Sequence, residues 1–151
     1  MAHVRRIYLD LCVYKRPFDY QGQERIALET SMFIYLLEKV EAGIYKLVVS
    51  DVLVYENNKD PDAERRDRVK LYFGLASEFV KVDEESIEQA VILEKLGFFS
   101  IDAMHIAVAE RARVDCFITC DDSIIKLYKG EKTKINIPIK SLVEFIAEEV
   151  R

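Results

Sequence analysis

The chain is poor in the residues that punctuate or staple a polypeptide: 5 Gly, 3 Pro and 3 Cys in 151 residues. That scarcity, beside 50% hydrophobic and 32% charged residues, excludes collagen-like repeats and argues against disorder. The length and balance are those of one domain over residues 1–151. Internal repeats, low-complexity tracts and Gly/Ser linkers are missing as well, so nothing marks a boundary. Cys12, Cys116 and Cys120 are odd in number and lack paired zinc-ribbon spacing, which reads as reduced core thiols. No apolar run approaches the roughly 18 to 20 residues of a membrane helix. The opening MAHVRRIYLDL meets an acid before a signal-peptide core can develop, so a cytoplasmic location is expected. Basic residues are in deficit too, 22 Lys and Arg against 27 Asp and Glu, for a formal charge of −5. Such a field does not attract nucleic acid as a basic DNA-binding domain does, so a polyanion would need local basic patches or a bound cation. Neither G-x-G-x-x-G nor G-x-x-x-x-G-K occurs, which disfavours dinucleotide and P-loop roles.

What is present alternates. Val4 to Leu9 is an apolar run of strand length that stops at Asp10, ahead of a turn-like Lys15-Arg16-Pro17. From Gln23 to Ala42 apolar residues recur near a period of 3.6, predicting a helix that Gly43 stops and Thr30 breaks. Tyr45 to Val49 is β-branched and aromatic, and Ser50 caps a short helix from Asp51 to about Asn58. Asp60-Pro61 opens a charged helix to about Ser77, Phe79 to Val82 is a brief strand, and Glu84 to Leu96 is helical up to Gly97. Ser100 caps the next helix, and Cys116 to Thr119 reads as a strand buried on both faces. A helix from Asp121 to Tyr128, a last strand at Ile135 to Ile137 and an amphipathic helix from Ser141 to Val150 complete the series. Strands alternating with helices predict an α/β fold, a three-layer α/β/α sandwich around a parallel sheet of about five strands.

In such sheets chemistry gathers beyond the carboxyl ends of the strands, where strand order reverses. Asp10, Asp121 and Asp122 fall at such ends, although each alone could equally be a turn or capping residue. Glu56 lies three and four residues after Leu53 and Val52, which sets a carboxylate on the apolar face of its helix; a paired or metal-bound acid and a surface stem both satisfy that position. Asp102 sits in the first turn after Ser100, where the helix dipole favours an anion in any case. Together, acids from four such positions brought to one place repel one another unless a cation neutralises them. Oxygen ligation without a His or Cys set points to Mg²⁺ or Mn²⁺. His105 shares a helix face with Asp102 and, within an apolar helix, reads as a hydrogen-bonded structural histidine.

The segments IYLDLCVYKRPFD, SDVLVYE and SIDAMHIAVAERARVDCFITCDD carry a resemblance over nearly the whole chain to the PIN-domain family of metal-dependent nucleases, which includes VapC-like toxin ribonucleases of toxin–antitoxin pairs. The last segment is the most specific: a helix opening with an acid leads to a strand that ends in Thr-x-Asp. The resemblance implies that Asp10, Glu56, Asp102 and Asp121 form the catalytic acids. Asp10, Asp102 and Asp121 lead the Mg²⁺ or Mn²⁺ ligands, Glu56 is a further ligand or a water-orienting base, and Asp122 is an adjacent spare. Thr119 matches the family's polar residue beside the last acid, whereas Leu11 and Cys12 replace small polar residues after the first. Implied as well are hydrolysis of single-stranded RNA leaving a 5′-phosphate and a 3′-hydroxyl, a homodimer, and an antitoxin that covers the crevice.

For holding RNA, Lys15 and Arg16 follow Asp10 with Tyr14, Phe18 and Tyr20 interleaved, an arrangement that suits phosphate contact with stacking and equally suits a loop packed on the first helix. Arg65, Arg66, Arg68 and Lys70 alternate with Glu64 and Asp67, the pattern of a solvated, ion-paired helix face. Two other readings compete. One is a catalytically silent RNA-binding or scaffold domain, the other an aspartyl-phosphate hydrolase of haloacid type, whose D-x-D is here Asp10-Leu11-Cys12.

Overall fold

Runs of β-branched and apolar residues at strand length, each followed by a helix with one apolar stripe, leave the chain a single economical arrangement: strands side by side, helices on both faces. A computed structural model describes residues 3–150 and has that arrangement. Its elements are β1 (Arg5–Leu9), α1 (Leu11–Lys15), α2 (Glu24–Glu41), β2 (Tyr45–Ser50), α3 (Asp51–Asn58), α4 (Ala63–Phe73), β3 (Glu78–Val80), α5 (Glu84–Leu96), α6 (Ser100–Ala112), β4 (Cys116–Thr119), α7 (Asp122–Glu131), β5 (Ile139–Ser141) and α8 (Leu142–Glu149). Single 3₁₀ turns lie at Arg16–Phe18 and Lys132–Lys134.

All five strands are parallel, in the order β3-β2-β1-β4-β5. Chain order runs outward in one direction from β1 and then restarts on its other side at β4, so the reversal lies between these two strands. Register pairs Leu9 with Ile118, which brings the carboxyl ends of β1 and β4 level. Tyr8 stacks on Phe117 and meets His105 of α6 on one face. On the other, Tyr45 meets Phe145 of α8, and α2 packs on α8 and β2. The fully buried Ile7, Leu9, Leu47 and Phe117 each contribute about 1.5–3 kcal/mol by leaving water. No helix among the described residues is long and apolar enough to cross a membrane.

Several boundaries differ from expectation for identifiable reasons. The turn expected at Lys15-Arg16-Pro17 is the 3₁₀ turn Arg16–Phe18, and ahead of it lies the unforeseen α1, capped by Asp10 and too short to show a period, with Leu11, Val13 and Tyr14 buried. Helix α2 runs unbroken through Thr30, because Phe33, Leu36 and Leu37 carry its core stripe past that residue. Helix α4 starts at Ala63 behind an Asp62 cap and ends at Phe73, short of Ser77. Phe99 takes the cap position of α6, and Ser100 is its first residue without a side-chain cap bond. The last strand is Ile139–Ser141, not Ile135 to Ile137: those two isoleucines are buried in the extended approach, and pairing on β4 begins with the Pro138 carbonyl, which accepts from Phe117 N at 2.9 Å. The cysteines are free thiols, with Cys116 and Cys120 buried and Cys12 partly so.

Candidate metal centre at the carboxyl end of the sheet

The reversal between β1 and β4 opens a crevice of about 440 Å³. Asp10 from the end of β1, Glu56 from α3, Asp102 from α6 and Asp121 from the end of β4 all line it. Acids from position 10 to position 121 thus share one wall, at the carboxyl ends of β1 and β4 and on α3 and α6.

Asp10 is 6% exposed and held by three donors. Its Oδ1 accepts from Leu11 N at 2.9 Å, and its Oδ2 accepts from the Thr119 hydroxyl at 2.8 Å and from the Cys12 thiol at 3.4 Å. Thr119 Oγ1 in turn accepts from Asp121 N at 3.0 Å, so one fully buried hydroxyl ties the ends of β1 and β4 together. Cys12 therefore supplies a donor at a place where a small polar residue was expected. Its hydrogen bond with the Cys120 side chain, burial and the Asp10 charge push its pKa well up, which keeps the thiol protonated for that donation. Asp121 caps α7, its Oδ1 accepting from Ser123 N at 2.9 Å and from the Ser123 hydroxyl at 2.6 Å. The capping reading and the crevice reading are both true of this residue.

Asp102 differs from Asp10. No hydrogen bond donor reaches its carboxylate among the described residues, and its pKa is pushed up to about 7, by burial first and then by the charges of Asp10 and Asp121, with His105 partly opposing. A carboxylate in that condition is relieved by a proton or by a cation. One ligand atom each from Asp10, Glu56 and His105 also lie within 4.8 Å of one another. Asp102 and Asp121 line the same crevice outside that group, and carboxylate oxygens gathered in this way suit a hard divalent cation.

The other expected site residues separate. Lys15 lines the crevice and donates to Asp60, which is buried; Arg65 binds the same carboxylate through two bonds of 2.6 and 2.7 Å. These partners hold Asp60 well below the usual carboxylate range. Arg16 does not line the crevice: it turns to Asp19 and to Glu29, a fully buried acid of α2. Asp122 lies outside the crevice as well, exposed and paired with Arg25 at 2.7 and 2.8 Å. Tyr14 is core, edge-on to Phe33 and Phe73, while Tyr20 is exposed. Unforeseen from sequence are Lys59 and Arg65 in the wall; Arg65 was expected on a solvated face, and only its spacing of five from Asp60 hinted otherwise. Also unforeseen is the contact of His105 Nε2 with Glu56 Oε1 at 2.8 Å, whose one local signal is the three-residue step from Asp102.

No family model matches the chain, and no curated protein matches it in sequence. Solved structures do. A chain of the crystal structure of VapBC2 from Rickettsia felis bound to a DNA fragment from its promoter is similar at a TM-score of 0.57 and 13% identity, over 90% of this chain and 98% of that one. A chain of DNA-bound VapBC from Salmonella typhimurium is similar at 0.49 and 17% identity, over 91% and 98%. The Rickettsia felis likeness bears out the VapC-like, PIN-type fold that the sequence resemblance implied.

Proposed function

We propose that the protein is a Mg²⁺- or Mn²⁺-dependent endoribonuclease that hydrolyses single-stranded RNA. One observation carries the reading: Asp10, Glu56, Asp102 and Asp121 line a single crevice at the point where strand order reverses, the place where open α/β sheets bind ligands. Asp10, Asp102 and Asp121 would hold the cation, with Glu56 as a further ligand or a water-orienting base. When bound, such an ion activates water for in-line attack on the phosphodiester and stabilises the departing oxygen. The chain's own groups prepare that chemistry. Leu11 N, Thr119 and Cys12 aim Asp10, and the same Thr119 hydroxyl fixes the backbone of Asp121. Lys15, Lys59 and Arg65 give the wall positive charge for a phosphate chain. Lys15 and Arg65 share Asp60, so their charge is partly compensated and Lys59 is the most exposed of the three.

The test is cleavage of a mixed single-stranded RNA pool with Mn²⁺, Mg²⁺ or EDTA, beside Asp10→Asn and Asp121→Asn. Metal-dependent cutting lost in both variants supports the reading. No cutting in any condition, together with no calorimetric metal binding, overturns it in favour of a silent PIN-fold RNA-binding or scaffold domain. Its shared fold with a chain of the Rickettsia felis VapBC2 complex supports the toxin half of a toxin–antitoxin pair, with an antitoxin as partner; the homodimer rests on the family resemblance alone. Light scattering of the pure chain measures the last of these.

A further inference from the structure

Behind Glu56 runs a chain of buried side chains that the nuclease reading leaves unused. Leu53 N donates to Ser50 Oγ at 3.1 Å, Ser50 Oγ lies 2.6 Å from the Tyr8 hydroxyl, and that hydroxyl lies 2.7 Å from His105 Nδ1. His105 Nε2 ends the chain at Glu56 Oε1, 2.8 Å away. Ser50, Tyr8 and His105 are 0% exposed, so water cannot complete their hydrogen bonding. Each belongs to an element that also carries or abuts a crevice acid: Ser50 caps α3 with Glu56, Tyr8 stands two residues before Asp10, and His105 follows Asp102 by one turn.

The direction of the chain follows from counting donors. An ionised Glu56 only accepts, so His105 Nε2 carries the proton. Nδ1 then accepts from the Tyr8 hydroxyl, the Tyr8 oxygen accepts from the Ser50 hydroxyl, and the Ser50 oxygen accepts from Leu53 N. Every hydrogen in that sequence has an acceptor. In the opposite sense the Tyr8 hydroxyl would donate to Ser50 Oγ, leaving the Ser50 proton without an acceptor in a dry interior, a state that costs about 1–3 kcal/mol. We infer that His105 is a positioning residue: held by Ser50 and Tyr8 as the Nε2–H tautomer, it fixes one oxygen of Glu56 against the wall and leaves Oε2 to face an ion or water. A histidine that was only a satisfied core residue would need no particular tautomer and no carboxylate at the rim of the crevice. The consequence for metal binding rests on the nuclease reading; the hydrogen-bond assignment does not.

Two tyrosines supply a matched test. Tyr8→Phe keeps the ring that stacks on Phe117 at 5.4 Å and removes only the hydroxyl. Tyr14→Phe removes a hydroxyl that is equally buried but has no hydrogen-bond partner among the described residues. Long-range ¹H–¹⁵N NMR of the full chain should show wild-type His105 as a single Nε2–H tautomer, a mixture in Tyr8→Phe, and the wild-type pattern in Tyr14→Phe. Calorimetric Mn²⁺ affinity should fall about tenfold in Tyr8→Phe, the scale of lost outer hydrogen bonds at metal sites, and stay unchanged in Tyr14→Phe. An Nδ1–H tautomer in the wild type, or a Tyr8→Phe protein indistinguishable from Tyr14→Phe, overturns the inference. Should the wild type bind no Mn²⁺, the nuclease reading falls, and the tautomer comparison alone then decides whether Tyr8 holds His105.

Discussion

The two ends of the sheet treat charge in opposite ways. At the amino end, Arg6 grips Glu78 through two bonds of 2.6 and 2.7 Å and also donates to the Ala112 and Arg113 carbonyls that finish α6. Beside it, Asp115 accepts from Arg6 N and His3, and Arg5 pairs with Glu149. Each of these three acids meets a base. At the carboxyl end, Asp10, Glu56, Asp102 and Asp121 share one crevice, and two of its three lining cations, Lys15 and Arg65, are turned to Asp60. Paired charges at one end are a small stabilising detail of the kind worth about 0–1 kcal/mol each. Massed carboxylates at the other destabilise the metal-free fold, which makes sense only if something else neutralises them.

Substitutions at the two ends should therefore have opposite signatures. Asp10→Asn should lower metal-dependent RNA cleavage by more than about 100-fold, beyond the loss typical of outer hydrogen bonds, while leaving the melting temperature of the metal-free protein the same or higher. Thr119→Val strips both strand ends of a partner, Asp10 Oδ2 and Asp121 N, and should cost about 1–3 kcal/mol in chemical denaturation with a parallel loss of metal affinity. The pH dependence sharpens the contrast. Asp102 has a folded pKa of about 7, above its ordinary 3.8, so it binds its proton more tightly when folded. Its contribution is present below about 4 and is lost as pH rises towards 7. Thermal melts of the metal-free chain should fall over that window, Asp102→Asn should flatten the fall, and Mn²⁺ should reverse it in the wild type. Glu78 has the opposite sign: Arg6 holds its pKa below 4.5, so its contribution appears above that pH and is lost on acidification. Glu78→Gln should cost about 0.2–1 kcal/mol at neutral pH and leave metal affinity untouched. Equal effects of Glu78→Gln and Asp102→Asn at pH 7 would erase the distinction between the two ends.

Much of this was legible in the sequence where information is local. Cys116–Thr119 was readable to the residue because an unbroken apolar run of strand length admits little else, and Asp10 and Asp121 followed from lying just beyond strands. Legibility failed where an element was too short to show a period, as in α1, or where pairing was set from outside, as in β5, whose register depends on Pro138 meeting Phe117. It failed too where a partner lies far along the chain. Nothing near Arg16 announces that Glu29 lies buried on α2 to turn it from the crevice, and nothing near Glu56 announces His105. Their places at strand ends and on helix turns grouped the four acids, and the PIN resemblance supplied their roles.

The Thr119 hydroxyl bridge has a geometric corollary. Parallel neighbours in a sheet are held about 4.8 Å apart by their ladder of hydrogen bonds. Asp10 and Asp121 extend from two such neighbours, β1 and β4, and the bridge locks them just beyond the last rungs. The gap between those two acids is thus inherited from backbone spacing and from one hydroxyl, not from the packing of the surrounding helices.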